Sequence, residues 1–257
     1  NYKLVVGISF MGGPAMNQVA KANPKTNFAM VEAKVPTKNA VSIMFHSEQS
    51  SYLAGVAAAT VSKTGKIGFV GGVKGEVVEQ FEAGFKAGVL ATNPKATFVS
   101  QYANTFTDAA KGKTIAAAMY ASGVDVIFQA AGATGNGVFA EAKAINENTT
   151  ADNKVWVIGV DMDQKQDGNY TTKDGKKANF TLASAIKRVD NAIELVAEDG
   201  KKGKFPGGQT VTYGLKQKGV DIARDSMPEN AWAATQAAKQ EILDGKITVP
   251  TKLSEVK

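Results

Sequence analysis

Val155-Trp156-Val157-Ile158-Gly159-Val160-Asp161-Met162-Asp163-Gln164 is the stretch from which the fold is read. Six residues, mostly β-branched or bulky and apolar, run without alternation into a carboxylate. So short and uniformly apolar a run suits a strand buried on both faces, as in a parallel sheet covered by helices. Open α/β sheets bind ligands just beyond the carboxyl ends of their strands. Asp161 is therefore the first candidate for a ligand contact. Its alternative role is to cap the turn that follows.

The same rhythm extends upstream. Strand-like runs at 4–10, 27–31, 41–45, 66–71, 97–102 and 124–129 alternate with helical stretches that begin near Pro14, Glu48, Glu76, Ala109 and Gly137. This alternation predicts parallel sheets with right-handed crossovers. The first run is of the buried type, which predicts a further βα unit ahead of it. Downstream the rhythm breaks over the polar residues 165–179, where Tyr170-Thr171-Thr172 between two Asp-Gly pairs predicts a surface hairpin. A strand at 180–185, a helix at 189–198, a strand at 210–213 and a last helix after Pro228 follow. The polar tail beyond Ile247 is expected along the surface. Residues 5–19 and 127–139 both read strand, glycine-rich loop, helix. Two similar α/β lobes would give this echo, and so would the ordinary likeness of all βα units.

Composition narrows the function. The 257 residues, 44% of them hydrophobic, suffice for one large domain or two of ordinary size. Cysteine is absent, which removes disulfides, thiolate metal sites and cysteine nucleophiles. The formal charge of +6 is spread along the chain and carried mostly by lysine. That argues for a soluble lysine-rich surface and against nucleic acid as a partner. No apolar run approaches the ~20 residues that span a bilayer, and no signal peptide is visible.

Catalytic patterns are sparse. His46 is the only histidine; beside Ser47 and Glu48 it is weighed as a triad member against a surface or hinge role. Asp161, Asp163 and Asp167 lack the spacing and the closing glutamate of a calcium loop. Gly132-Ala133-Thr134-Gly135-Asn136-Gly137 leads into a helix, and its backbone N–H groups suit an anion or a ligand hydroxyl, or simply a tight turn. It matches neither phosphate-loop pattern, and no cofactor is expected. Lys187 follows a strand at its exit from the sheet. It is either a donor to a ligand hydroxyl, held by a carboxylate such as Asp161, or a solvated lysine at a helix start. Phe10 closes the first strand, where an aromatic either stacks on a flat ring or joins the core.

Taken in order, Ser51-Tyr52-Leu53-Ala54-Gly55, Gly68-Phe69-Val70-Gly71-Gly72, Phe81 with Gly84-Phe85, Asp108-Ala109-Ala110-Lys111-Gly112, Ala131-Gly132 with Thr134-Gly135, and Gly159-Val160-Asp161 with Asp163-Gln164 resemble the basic membrane protein family. These are substrate-binding lipoproteins of ABC transporters that take up nucleosides. The resemblance covers essentially the whole chain. It implies a type I periplasmic-binding-protein fold, two Rossmann-like α/β lobes with parallel sheets joined by a three-crossover hinge. On that pattern lobe I comprises 1–63 plus 185–209, and lobe II comprises 64–184 plus 210–257.

The resemblance also implies site roles. Asp161 would bind ribose hydroxyls, aided by Lys187 and backbone groups at Gly132. Phe10 would lie against the base. Glu32 stands where the family usually has aspartate and would accept base N–H groups. Ala131 takes the place of an aromatic found in some members. A ligand-contacting βα unit and a lipid-bearing cysteine that precede this point in the family are absent from the sequence, which is expected to be part of a longer lipoprotein. The implied protein is not an enzyme. The resemblance implies an extracytoplasmic, membrane-anchored receptor for a nucleoside, a purine by preference, with ABC permease subunits as partners. Two alternatives are a nucleoside- or sugar-processing enzyme on a similar scaffold and the effector-binding core of a transcription regulator.

Overall fold

The computed structural model describes residues 2–256. In chain order its elements are β1 (Leu4–Ile8), α1 (Gly13–Ala22), β2 (Asn27–Val31), β3 (Ala40–Phe45), α2 (Ser47–Val61), β4 (Lys66–Gly71), α3 (Glu76–Thr92), β5 (Thr97–Tyr102), α4 (Ala109–Ala121), β6 (Val126–Ala130), α5 (Gly135–Asn146), β7 (Trp156–Asp161), β8 (Asn169–Thr171), β9 (Lys177–Asn179), β10 (Thr181–Lys187), α6 (Val189–Lys201), β11 (Thr210–Tyr213), β12 (Val220–Ala223) and α7 (Glu229–Leu243). The chain divides into two units, Asn1–His46 with Lys187–Val220 and Ser47–Ile186 with Asp221–Lys257. It passes from one unit to the other three times.

The first unit is built on a four-stranded sheet in the order β1-β2-β3-β11, parallel throughout. β2 and β3 are almost wholly buried, as their unbroken apolar runs require. Phe28, Met30, Val35 and Ala40 pack with Ala20 of α1 into its core. Gly7 makes room for this, since a Cβ there would lie 2.6 Å from Met16 Cε and 2.7 Å from Met30 Sδ. β1, expected to be buried, lies at the sheet edge, with Val5 36% and Ile8 67% exposed.

The second unit carries a six-stranded sheet in the order β12-β10-β7-β6-β4-β5. The four pairings from β10 across to β5 are parallel. The stretch at 156–161 forms β7, buried at its four central residues, near the middle of the sheet. Phe69, Phe85 and Phe128 are fully buried and meet edge to face or tilted, with centroids 5.0 to 6.4 Å apart. Each such ring contributes roughly 1.5–3 kcal/mol by its removal from water. The predicted hairpin is present as the antiparallel pair β8 and β9.

The expected lobe boundaries require correction. α2 belongs to the second unit, so the first passage falls at 46/47 and not at 63/64. The reason is a very close crossing of α2 with α3. A Cβ on Gly84 or Gly88 would lie 2.2 Å from Glu48 O and 2.1 Å from Tyr52 O respectively. Glycine there lets the two backbones touch, and α2 is buried along nearly its whole length. The second passage, at 186/187, falls two residues later than expected. The third falls at 220/221 and not at 209/210, because β11 pairs with β3 of the first unit. β12, a strand not anticipated, flanks β10.

Candidate functional site

Each unit presents polar groups where its parallel strands end, and the backbone bends sharply there. In the second unit Asn104, Gly132 and Asp161 stand at φ +55°, +57° and +66°, just past or at the ends of β5, β6 and β7. At Asp161 the Met162 N–H donates to Val160 O at 2.8 Å, closing a three-residue turn with the aspartate at its centre. Turns of this kind with positive φ are rare and strained in a non-glycine residue, and such strain concentrates at functional sites. Asp161 is exposed.

The loop after β6 is a 3-10 turn, Gly132–Thr134, and α5 begins at Gly135. It is tied to the loop after β5. Thr134 N–H donates to Phe106 O at 3.2 Å, and Thr134 Oγ accepts from Asp108 N–H at 3.0 Å. Phe106, half-buried, lies beside two glycines: a Cβ on Gly72 would meet its ring at 2.2 Å, and one on Gly132 its carbonyl at 3.2 Å. Backbone and aromatic ring therefore share this end of the sheet.

Gln164 holds the two loops in register. Its Oε1 accepts from Val160 N–H at 2.9 Å and from Gln129 Nε2 at 2.8 Å. Gln129, buried in the middle of β6, uses its own Oε1 to accept from Ala131 N–H at 3.2 Å. A Cβ on Gly135 would lie 1.9 Å from that oxygen. Gln164 N–H donates to Ser184 Oγ at 3.0 Å, and Ser184 Oγ donates to Asp225 Oδ2 at 2.7 Å. Burial, and then the neighbouring Asp163, push the Asp225 carboxyl up to about 6 against the opposing hydrogen bond from Ser184.

The first unit carries Phe10, Glu32 and Lys187. Glu32 follows β2 at φ +62°. Its Oε1 lies 2.8 Å from Lys187 Nζ, with the two side chains 16% and 6% exposed. The Phe45 ring is 6.0 Å from the same ammonium. Glu32 thus supplies Lys187 with a carboxylate from within its own unit. Lys187 is also the last residue of β10 and not part of the segment after it. Phe10 stands outside β1, in a 3-10 turn after Ser9, and is 43% exposed. His46 closes the first unit, its N–H donating to Tyr213 O at 3.0 Å.

Sequence reasoning missed Gln129, Phe106, Ser184 and Asp225. A glutamine inside Val126-Ile127-Phe128-Gln129-Ala130 was the one available signal, since a buried polar side chain must find partners. Among the described residues no three histidine or acidic side chains are placed to hold a metal ion, and no helix is long and apolar enough to cross a membrane.

Comparison with known proteins gives this arrangement its context. The chain is 50% identical over 252 residues to a protein of Lactococcus lactis named ABC transporter nucleoside-binding protein BmpA, covering 98% of this chain and 72% of that one. The fold resembles the crystal structure of an ABC transporter solute-binding protein from Aeropyrum pernix, with a TM-score of 0.78 and 25% identity over 97% of this chain and 78% of that one. It also resembles a structure described as a transcriptional activator of the comK gene from Bacillus halodurans, with a TM-score of 0.80 over 95% of this chain and 80% of that one. The latter likeness, at 20% identity, is one of fold alone. These likenesses and the parallel sheets place the chain in the type I periplasmic-binding-protein fold. Residues 1–252 match the profile of the Bmp family, described as ABC transporter substrate-binding protein PnrA-like, and the chain belongs to that family.

Proposed function

We propose that the chain is an extracytoplasmic receptor that captures a nucleoside, with preference for a purine, and passes it to the permease of an ABC transporter. The observation that carries this reading is Asp161, a strained and exposed carboxylate at the carboxyl end of a central parallel strand, in a chain of a substrate-binding family. A carboxylate accepts two hydrogen bonds side by side, which suits the paired hydroxyls of a ribose. Backbone groups around Gly132 supplement it. Lys187, kept in place by Glu32, donates to a ribose oxygen. Glu32 has oxygen lone pairs left for base N–H groups, and Phe10 and Phe106 offer ring faces to the base. The name of the Lactococcus lactis relative supports the ligand class. No bond of the ligand is made or broken in this reading.

Calorimetric titration with inosine, its 2′-deoxy analogue and a pyrimidine nucleoside tests it. Asp161→Ala is expected to weaken inosine binding about ten- to a hundredfold, the loss of a charged hydrogen-bonding group worth roughly 1.5–3 kcal/mol. The deoxy analogue should show much of that loss in the unsubstituted protein. An Asp161→Ala protein that folds and binds inosine unchanged refutes the assignment. Free base appearing in the incubation would point to a hydrolase instead.

A further inference from the structure

The second sheet divides at its carboxyl end. β6 and β7 pair at Val126–Trp156, Ile127–Val157 and Phe128–Ile158, and their register stops there. Both strands run on, β6 to Ala130 and β7 to Asp161. Each keeps its outer neighbour to the end. β4 stays with β6 as far as Gly71–Ala130, and β10 stays with β7 as far as Ile186–Asp161. The sheet thus parts between the strand that leads to Gly132 and the strand that ends in Asp161. Two side-chain amides bridge the parting. Gln129 Oε1 accepts from Ala131 N–H at 3.2 Å, and Gln129 Nε2 donates to Gln164 Oε1 at 2.8 Å. The same Gln164 oxygen accepts from Val160 N–H at 2.9 Å. Two backbone donors, one just past β6 and one in β7, therefore find side-chain acceptors. Glycine makes the room, since a Cβ would lie 1.9 Å from Gln129 Oε1 at Gly135 and 2.9 Å from Gln164 Oε1 at Gly159.

We propose that Gln129 and Gln164 form a spacer that takes over where the β6–β7 ladder ends and sets the separation of Gly132 and Asp161, which makes both glutamines positioning residues for recognition of the ligand's sugar. The inference rests on the reading of Asp161 as a ligand contact. Its consequence is that the two loops meet the ligand as one piece, and that loss of either amide blunts the discrimination between ribose and deoxyribose.

Ladder hydrogen bonds hold neighbouring strands about 4.8 Å apart. A relay through an inserted amide holds them farther apart, still at a fixed distance, and leaves space between the strand ends. The relay here is anchored on both sides. Gln129 is buried in β6. Gln164 N–H donates to Ser184 Oγ at 3.0 Å, its carbonyl accepts from Thr181 Oγ1 at 3.2 Å, and its Nε2 donates to Asp167 Oδ2 at 3.1 Å. Ser184 and Thr181 belong to β10, so the bridging amide is fixed to the strand beside β7. An apolar side chain at either position would leave a backbone N–H without its acceptor.

Hydrogen exchange of single amides in the ligand-free protein is the first arm of the test. Gln129→Leu removes the acceptor of Ala131 N–H, and Gln164→Leu removes that of Val160 N–H. If the two amides act as one spacer, each substitution should speed exchange at both positions, on the order of tenfold. An effect confined to each substitution's own amide overturns the proposal whatever the protein binds. Titrations with inosine and 2′-deoxyinosine are the second arm. The unsubstituted protein should prefer inosine about tenfold, and either leucine variant only about twofold. Gln164→Glu keeps an oxygen for both donors and should retain the preference and the protection. In an Asp161→Ala background the leucine substitutions should change inosine affinity by less than about twofold, because the group they position is gone. A leucine variant that melts lower yet keeps the full preference has lost only stability and overturns the proposal. So does a Gln164→Glu protein as impaired as Gln164→Leu. An Asp161→Ala protein that binds inosine unchanged refutes the reading of Asp161 and with it the role in sugar recognition, while exchange alone decides the spacer.

Discussion

Glu32 and Lys187 lend themselves to a double-mutant cycle. Their charges are 2.8 Å apart and largely buried, at 16% and 6% exposure. At an effective dielectric of ~20 the attraction is about 6 kcal/mol, but taking both ions out of water costs several kcal/mol each. The pair as a whole is therefore worth well below its Coulomb attraction. Removing one member is another matter, because it leaves a buried charge facing a weaker partner, at a cost of about 3–5 kcal/mol. Glu32→Gln and Lys187→Met should each destabilise by about 3 kcal/mol, and the double substitution by little more than either alone. The coupling is then about 2–3 kcal/mol. Scanning calorimetry is the suitable assay. Both tryptophans, Trp156 and Trp232, belong to the second unit, so fluorescence would not follow unfolding of the first. The single substitutions should lower the first unit's transition by roughly 12–24 °C, at about 4–8 °C per kcal/mol for a unit of this size. Losses that add in the double mutant would refute the reasoning, since the two groups would then be supported independently.

Two further outcomes follow from packing in the second unit. Gly88→Ala places a Cβ 2.1 Å from Tyr52 O, so α2 and α3 must separate by about 1 Å. Overpacking of this kind costs about 1–3 kcal/mol, of which alanine's helix preference returns about 1 kcal/mol. The net loss should appear as a lower urea midpoint at unchanged slope, and an unchanged midpoint would mean that the crossing is slack. Tyr102→Phe removes the hydroxyl that donates to the buried carboxylate of Glu82 and should cost about 1–3 kcal/mol. In ultraviolet titration Tyr102 should ionise well above the ordinary tyrosine range, because burial and then Glu82 disfavour its phenolate.

What the sequence revealed and what it hid have separate physical causes. The buried β7, the parallel rhythm and the hairpin at 169–179 were legible because they depend on local apolar patterning and turn residues. The candidates Gly132 and Asp161 were legible for the same reason, since the ends of parallel strands are marked where an apolar run stops. Membership of α2 was not legible. It is decided by Gly84 and Gly88 on another helix, where the absent atom is what matters. The Glu32–Lys187 pair unites residues from distant parts of the chain, and nothing near either one names the other. β12 is four residues long with an aspartate inside it, too short and too mixed to stand out from a lysine-rich loop. Gln164 was visible as a letter in a motif, but its role as a joint between two loops exists only once Gln129 and Ser184 lie beside it.

The threefold passage of the chain bears on how the protein is made. Neither unit is continuous in sequence. The first sheet lacks an edge until β11 at 210–213 has been synthesised, and the second lacks β12 and the helix α7 until residue 243. The strands from β4 to β7 form an unbroken block over 66–161 and can assemble early as the chain emerges. The apolar β3 waits for its neighbour β11 until residues 210–213. Long-range parallel pairing of this kind folds slowly and leaves strand edges open meanwhile. Translation thus leaves that edge of β3 open longest, and it is there that a nascent copy has most need of a chaperone.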